Sequence, residues 1–192
     1  SKPGVGFHDE RIREFLAAKY LAMLVDDSKD GWNGVPKIKT LARDGAERNE
    51  TVEAFVLRKA VNPSWHNVIA HLAGLLKDPH PLMEVLRDKS RDTPLRHRLC
   101  QAARCLLALD RLKYDGMIDQ LAREFINHWK RSLFVLNSGA FVANTLFAAP
   151  SLIQSFVKWL GSDNRIDRMR ATYALGRLGP SLAQHGEAMR KL

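Results

Sequence analysis

The sequence predicts an all-α fold, with helical hairpins stacked into an α-solenoid, and three observations lead there. Apolar residues recur at three- and four-residue spacing along most of the 192 residues, which is the period of a helix face. Strand-like alternation is nearly absent. Turn and cap signals punctuate the chain regularly, at Thr93-Pro94, Pro150-Ser151, Gly161-Ser162-Asp163 and Gly179-Pro180. A chain of this length holds one domain with a continuous core, or about four or five hairpins that each bury an apolar face against a neighbour. A compact helical bundle has the same local pattern and is the alternative.

Taken in order, residues 1–25 end in an amphipathic helix whose apolar positions are Ile12, Phe15, Leu16, Tyr20 and Met23, with Glu10, Arg11, Arg13 and Lys19 between them. Residues 26–49 carry Asp, Gly, Asn and Pro in quick succession and read as a loop with one short helix around Ile38 to Arg43. From 50 to 192 the chain reads as one continuous domain. Its first helix spans Glu50 to Val61. Asn62-Pro63 then supplies a cap and a first-turn proline, and Trp65, Val68, Ile69, Leu72 and Leu76 share one face of the next helix. On that stripe Trp65 is expected to be a buried anchor. Further helices are expected at about 81–89, 94–112, 115–130, 133–148, 150–160 and 164–178, with Gly179-Pro180 ending the last of these.

The opening segment, Phe7-His8-Asp9 followed by Glu14-Phe15-Leu16-Ala17-Ala18 and Leu21, resembles the end of the winged-helix subdomain in NACHT-type signal-transducing NTPases. A second stretch, Trp65-His66-Asn67-Val68-Ile69 with Leu72-Ala73-Gly74-Leu75-Leu76, is similar to a motif found downstream of it in bacterial NACHT proteins. Farther on, Arg168-x-x-Ala171-x-x-Ala174-Leu175-Gly176-x-Leu178-Gly179 resembles the first helix of a HEAT repeat. A looser copy runs from Arg98 through Ala102, Ala103 and Leu106.

The resemblance implies a non-catalytic helical sensor or scaffold segment of a prokaryotic NACHT-type NTPase, acting in signalling or defence. It implies that ATP, ADP and Mg²⁺ bind only in an upstream NTPase module, that a protein or nucleic-acid ligand is sensed here, and that the full-length protein forms homo-oligomers. His8 and Asp9 are the implied nucleotide-sensing positions, although Asp9 stands where the family's phosphate-contacting histidine is usual. Read from the residues alone, Asp9 and Glu10 cap a helix start. Phe7, Glu14, Phe15, Ala17, Ala18, Trp65 and Gly74 carry the motifs, and Ala73-Gly74 would let a neighbouring helix approach closely. The alternatives are a general HEAT-like protein-binding scaffold, or a HEAT-like DNA glycosylase recruiting Trp65, Trp129, Trp159 and Asp110.

The chain has no Gly-x-x-x-x-Gly-Lys-Ser/Thr loop with which to cradle a triphosphate, so it is not expected to be an enzyme by itself. None of its seven histidines stands in a metal-binding spacing. Cys100 and Cys105 fall on different faces of one helix and read as reduced thiols of a cytoplasmic protein. No secretory signal is read in the sequence, and the lack of an initiator methionine before Ser1 is expected of an excised segment and equally of a processed terminus. The most apolar run, Leu133 to Ala149, is broken by Asn137, Ser138 and Asn144 and reads as a buried helix rather than a membrane span.

Thirty Lys and Arg oppose 21 Asp and Glu, a net charge of +9, which favours acidic partners by long-range attraction. The densest basic stretch places Arg87, Lys89, Arg91, Arg96 and Arg98 together as candidates for a phosphate-binding ridge. Asp88 and Asp92 are interleaved with them and invite local ion pairs.

Overall fold

The computed structural model describes residues 9–29, 31–34, 37–41, 47–94, 96–109, 113–131 and 150–183. The chain is mostly helical and divides into two compact units, Ser1–Leu109 and Asp110–Leu192. That boundary falls inside the stretch 50–192 that the sequence presents as continuous.

In the first unit α1 spans Glu10–Asp26, and Asp9 caps it by accepting from the Arg11 backbone N–H at 2.9 Å. A 3-10 turn at Gly31–Gly34 leads to an antiparallel hairpin, β1 (Lys37–Leu41) and β2 (Glu47–Thr51), with Ile38 opposite Glu50 and Thr40 opposite Arg48. This hairpin replaces the short helix expected around Ile38. Lys37-Ile38-Lys39-Thr40-Leu41 places its two β-branched residues, Ile38 and Thr40, two apart on one face of an extended chain, which suits a strand. Its partner Glu47–Thr51 is wholly polar, so it shows no alternation by which to recognise it.

Helix α2 spans Val52–Lys59, beginning after the hairpin because the Thr51 side chain accepts from the Ala54 N–H at 3.0 Å. Asn62 then caps a 3-10 turn over Pro63–Trp65, which runs into α3 (His66–Leu75). Helices α4 (His80–Arg87) and α5 (His97–Cys105) follow, the second tightening into a 3-10 turn at Leu106–Ala108. Helix α3 is central, with α1 and α5 both packed against it, while α4 contacts α2 and α5. The core combines Ala18, Leu21 and Val25 of α1 with Phe55 and Val56 of α2, Ile69 and Leu72 of α3, Leu82 and Leu86 of α4, and Leu99 and Ala102 of α5.

Two details fix how closely these helices lie. A Cβ added at Gly74 would sit 2.8 Å from the Ala108 carbonyl oxygen, so the glycine permits the approach of the turn after α5. Gln101 Nε2 donates to the His66 carbonyl at 2.8 Å and the Cys105 thiol to the Ile69 carbonyl at 3.7 Å, tying α5 to α3. Cys100 and Cys105 are both free, and burial pushes their thiols up to about 11 and about 12. Neither is a reactive thiolate.

The orientation of α1 departs from the sequence reading. Ile12, Phe15, Leu16, Tyr20 and Met23, expected to face the core, are 41 to 57% exposed. The buried stripe is Ala18, Leu21, Ala22 and Val25, which has an equally regular helical spacing. Both faces of α1 are apolar. The face with two alanines turns inward because small side chains allow two helix axes to approach.

The second unit contains α6 (Asp115–Arg131), α7 (Pro150–Leu160) and α8 (Arg165–Ala183), with α7 packed on both α6 and α8. Leu121, Phe125, Leu152, Phe156, Trp159, Ala171 and Ala174 form its described core. Arg170 is buried among them and donates to the Lys130 carbonyl at 3.1 Å, covering an open carbonyl in the last turn of α6. Helix α8 continues through Gly179-Pro180 rather than ending there. Proline holds φ near the helical value and removes one intrahelical hydrogen bond, so a helix can pass through it at a cost in stability. The helix expected over 133–148, and the apolar run Leu133 to Ala149, lie outside the described residues.

Candidate functional site

A cleft of about 340 Å³ opens in the first unit where α1, β1, α2 and the 3-10 turn before α3 meet. Its floor is apolar, supplied by Ala17 and Leu21 of α1, Ile38 of β1 and Phe55 of α2. Tyr20 and Trp65 add aromatic edges, and Lys39, Arg58 and Lys59 supply three positive charges. No carboxylate is among the described lining residues.

Local sequence explains the assembly. The hairpin turns Ile38 into the core and brings Thr40 beside β2, where its hydroxyl donates to Glu50 Oε1 at 2.8 Å. Glu50 in turn binds the Arg58 guanidinium through both carboxylate oxygens, with Nε to Oε2 at 3.2 Å. Burial pushes the Glu50 carboxyl up, but the hydrogen bonds from Arg58 and Thr40 outweigh it and hold the group below its ordinary 4.5. Arg58 is therefore neutralised and fixed.

Lys59 is placed differently. Its ammonium lies 4.6 Å from the Trp65 ring centre and 5.6 Å from that of Phe55, within cation–π range. The two rings meet edge to face at 4.8 Å. Among the described residues Lys59 has no carboxylate within ion-pair distance. Burial lowers its pKa from 10.5, and the neighbouring Arg58 charge lowers it further, with Glu50 offsetting part of this. Trp65 is half-buried at the cleft instead of closing the core stripe of α3, because the chain is still in its 3-10 turn at that residue. The sequence signal that could have found this site was Phe55, Arg58, Lys59 and Trp65 in close succession.

The basic stretch has a structural explanation. Asp92, whose side chain is fully buried, accepts from the backbone N–H groups of Thr93, Arg98 and Leu99 at 2.8, 2.9 and 3.1 Å, and from Arg96 Nε at 3.0 Å. It thereby caps α5, which no residue at the conventional cap position does. Arg96, 9% exposed and left-handed with φ 55°, donates to the Arg87 carbonyl at the end of α4 at 3.1 Å. Arg98 donates to the Leu57 carbonyl in the last turn of α2 at 3.0 Å. Two arginines expected on a ridge thus satisfy the open carbonyls of two helix ends, where positive charge is favoured. Arg91 pairs with Glu53 and Asp88. Lys89 is exposed and Arg87 half-buried.

Phe7 and His8 lie outside the described residues, and Asp9 acts as the α1 cap. The two motif stretches meet. Glu14 accepts from Asn67 Nδ2 at 3.2 Å through each carboxylate oxygen, and Phe15 packs edge-on against His71 at 6.1 Å. Ala18 is buried, Ala17 lines the cleft, and Gly74 makes the close approach described above. Of the residues recruited to a glycosylase reading, Asp110 lies outside the described residues, as does the Trp129 side chain. Trp65 and Trp159 belong to different units.

Comparison with family models, with curated proteins and with solved structures finds no match to this chain. Among the described residues no group of three His, Cys, Asp or Glu is placed to hold a metal ion, and no helix is long and apolar enough to cross a membrane.

Proposed function

We propose that this chain is a non-catalytic helical sensor and scaffold segment of a NACHT-type signalling NTPase, working in the cytoplasm, its helices stacked in a HEAT-like solenoid. The observation that carries this reading is the outer face of α1. Ile12, Leu16, Tyr20 and Met23 lie largely exposed on it at helical spacing, with Phe15 at its edge beside His71, while the opposite face is buried against α3. A helix apolar on two sides suits a position between two bodies. Arg13 and Lys19 flank the exposed face without a carboxylate partner among the described residues, so the occupant we infer is an apolar groove rimmed by acidic side chains on the upstream NTPase module. The contact between the two motif stretches supports the same reading, since Glu14 and Phe15 meet Asn67 and His71 across α1 and α3.

In such a protein the segment acts by differential binding. A ligand that prefers one arrangement of the helical region shifts the nucleotide switch by its affinity ratio for the two states. The test is the product of the whole gene. The reading expects a phosphate-binding loop encoded upstream of Ser1, saturable ATP binding by the whole protein and none by this chain alone. It also expects Leu16→Asp with Met23→Asp to uncouple the module without unfolding the chain. A gene without such a loop would overturn it.

A further inference from the structure

We propose that the cleft between α1, β1, α2 and Trp65 is a binding site for a small aromatic anion, a flat ring bearing a carboxylate or phosphate, with Lys59 holding the charge and Tyr20 and Trp65 the ring. The site shares only Tyr20 with the outer face of α1 and does not depend on which larger protein the chain belongs to.

Three properties of the cleft lead to this ligand. Its volume is about 340 Å³, at the lower end of the range of about 300 to 1,000 Å³ for small-molecule sites, which suits a single ring with one substituent rather than a peptide or an oligonucleotide. Its charge is unbalanced. Lys39, Arg58 and Lys59 are among its lining residues and no carboxylate is, while the nearby Glu50 is already spent on Arg58 and Thr40. Among the described residues Lys59 has ring faces and no ion-paired carboxylate beside it, and a ring contact is far weaker than a desolvated ion pair. Apart from Thr40, whose hydroxyl is already given to Glu50, the rest of its lining is apolar and aromatic, which favours a flat hydrophobic group and penalises a hydrated cation.

The directions of the groups agree with an anion entering from solvent. Glu50 holds Arg58 through both oxygens, which leaves Lys59 as the cation without an ion-paired carboxylate among the described residues, an ammonium with three N–H bonds. The burial that depresses the Lys59 ammonium would be compensated by a bound anion, so ligand binding should raise its pKa. Arg58 and Lys39 contribute field rather than direct contact.

The experiment follows the indole N–H resonances of the full chain by nuclear magnetic resonance, with Trp65 assigned through Trp65→Phe. The probes are phenyl phosphate and indole-3-carboxylate; phenol and inorganic phosphate each lack one half of the ligand, and benzylamine reverses the charge. Phenyl phosphate or indole-3-carboxylate should move the Trp65 resonance saturably and leave Trp159, in the other unit, unmoved. Each half-ligand should bind at least about tenfold more weakly, the equivalent of one charge-assisted hydrogen bond, and benzylamine should not bind. Lys59→Gln should weaken the whole ligand by a similar factor with an unchanged melting temperature, and Lys59→Arg should retain most of the affinity. The proposal is overturned if neither aromatic anion moves Trp65 at millimolar concentration, if phenol binds as tightly as phenyl phosphate, or if Lys59→Gln leaves the affinity unchanged. The first of these would leave the proposed docking of α1 untouched, because none of the probes reports on it.

Discussion

The first unit holds two clusters of positive charge that look alike in composition and behave differently in the fold. Around Asp92 the arginines are dense, but their donors are directed to backbone carbonyls and buried or neighbouring carboxylates: Arg96 to the end of α4, Arg98 to the end of α2, Arg91 to Glu53 and Asp88. Around the end of α2 there are fewer cations, yet Lys59 is left facing aromatic rings beside an open cleft. Density of basic residues therefore does not locate free charge. Interleaved aspartates turn arginines into helix caps, whereas Lys59 has aromatic rings and no ion-paired carboxylate beside it among the described residues, which is what the proposed ligand site rests on.

The comparison is broken most severely at Asp92. Removing its carboxylate strands the buried Arg96 and three backbone N–H groups at once, so Asp92→Ala should cost about 3 kcal/mol or more. Urea denaturation would measure it, and a loss below about 1 kcal/mol would mean the cluster is only a surface loop. Next comes Gly74→Ala, which belongs to neither cluster but tests the packing that holds both. The new methyl meets the backbone of Ala108, so the variant should lose about 1 to 3 kcal/mol by overpacking despite alanine's better helix propensity. A stabilised variant would show that α3 and the turn after α5 can separate freely.

Smaller effects sharpen the contrast at the cleft. Glu50→Gln should cost about 1 kcal/mol near neutral pH, because the group is largely buried but its partner Arg58 is about half exposed. The sign with pH follows from the direction of its shift. A carboxyl held below 4.5 in the folded state stabilises it fully above that value, and the contribution is lost as pH falls through the folded pKa. Wild type and Glu50→Gln should therefore differ at pH 7 and converge in acid. Equal differences at both extremes would remove Glu50 as the neutraliser of Arg58.

What could be read from the sequence follows the same division. Helices α2, α3 and α7 are legible because each pairs an apolar stripe with a threonine, asparagine or proline signal at its start, and α6 by its apolar stripe alone. The inward face of α1 was not, since Ala18, Leu21, Ala22 and Val25 compete with a stripe of larger side chains at the same period, and tertiary packing alone chooses between them. Strand β2 was hidden by its wholly polar composition, and its role emerges only when Glu50 meets Thr40 and Arg58. Ala73-Gly74 signals a close approach, and at Gly74 the approaching element is the 3-10 turn after α5. Trp65 is half-buried rather than the buried anchor expected on the α3 stripe, because that expectation depends on an α-helical start that the 3-10 turn at Pro63–Trp65 displaces. The caps made by Arg96 and Arg98 join residues 9 and 41 positions apart, the second a separation that no local pattern encodes.

The most direct measurement compares two double variants that each remove two positive charges from the same unit, Arg96→Gln with Arg98→Gln and Lys39→Gln with Lys59→Gln. Unfolding free energies are taken from urea denaturation of both. The arginine pair should lose about 3 kcal/mol or more, since two helix ends and a buried aspartate lose their partners. The lysine pair should stay within about 1 kcal/mol of wild type, because it gives up only weak ring contacts and relieves a desolvated charge. Equal losses in the two variants, or a larger loss from the lysine pair, would contradict the assignment of one cluster to the fold and the other to a ligand.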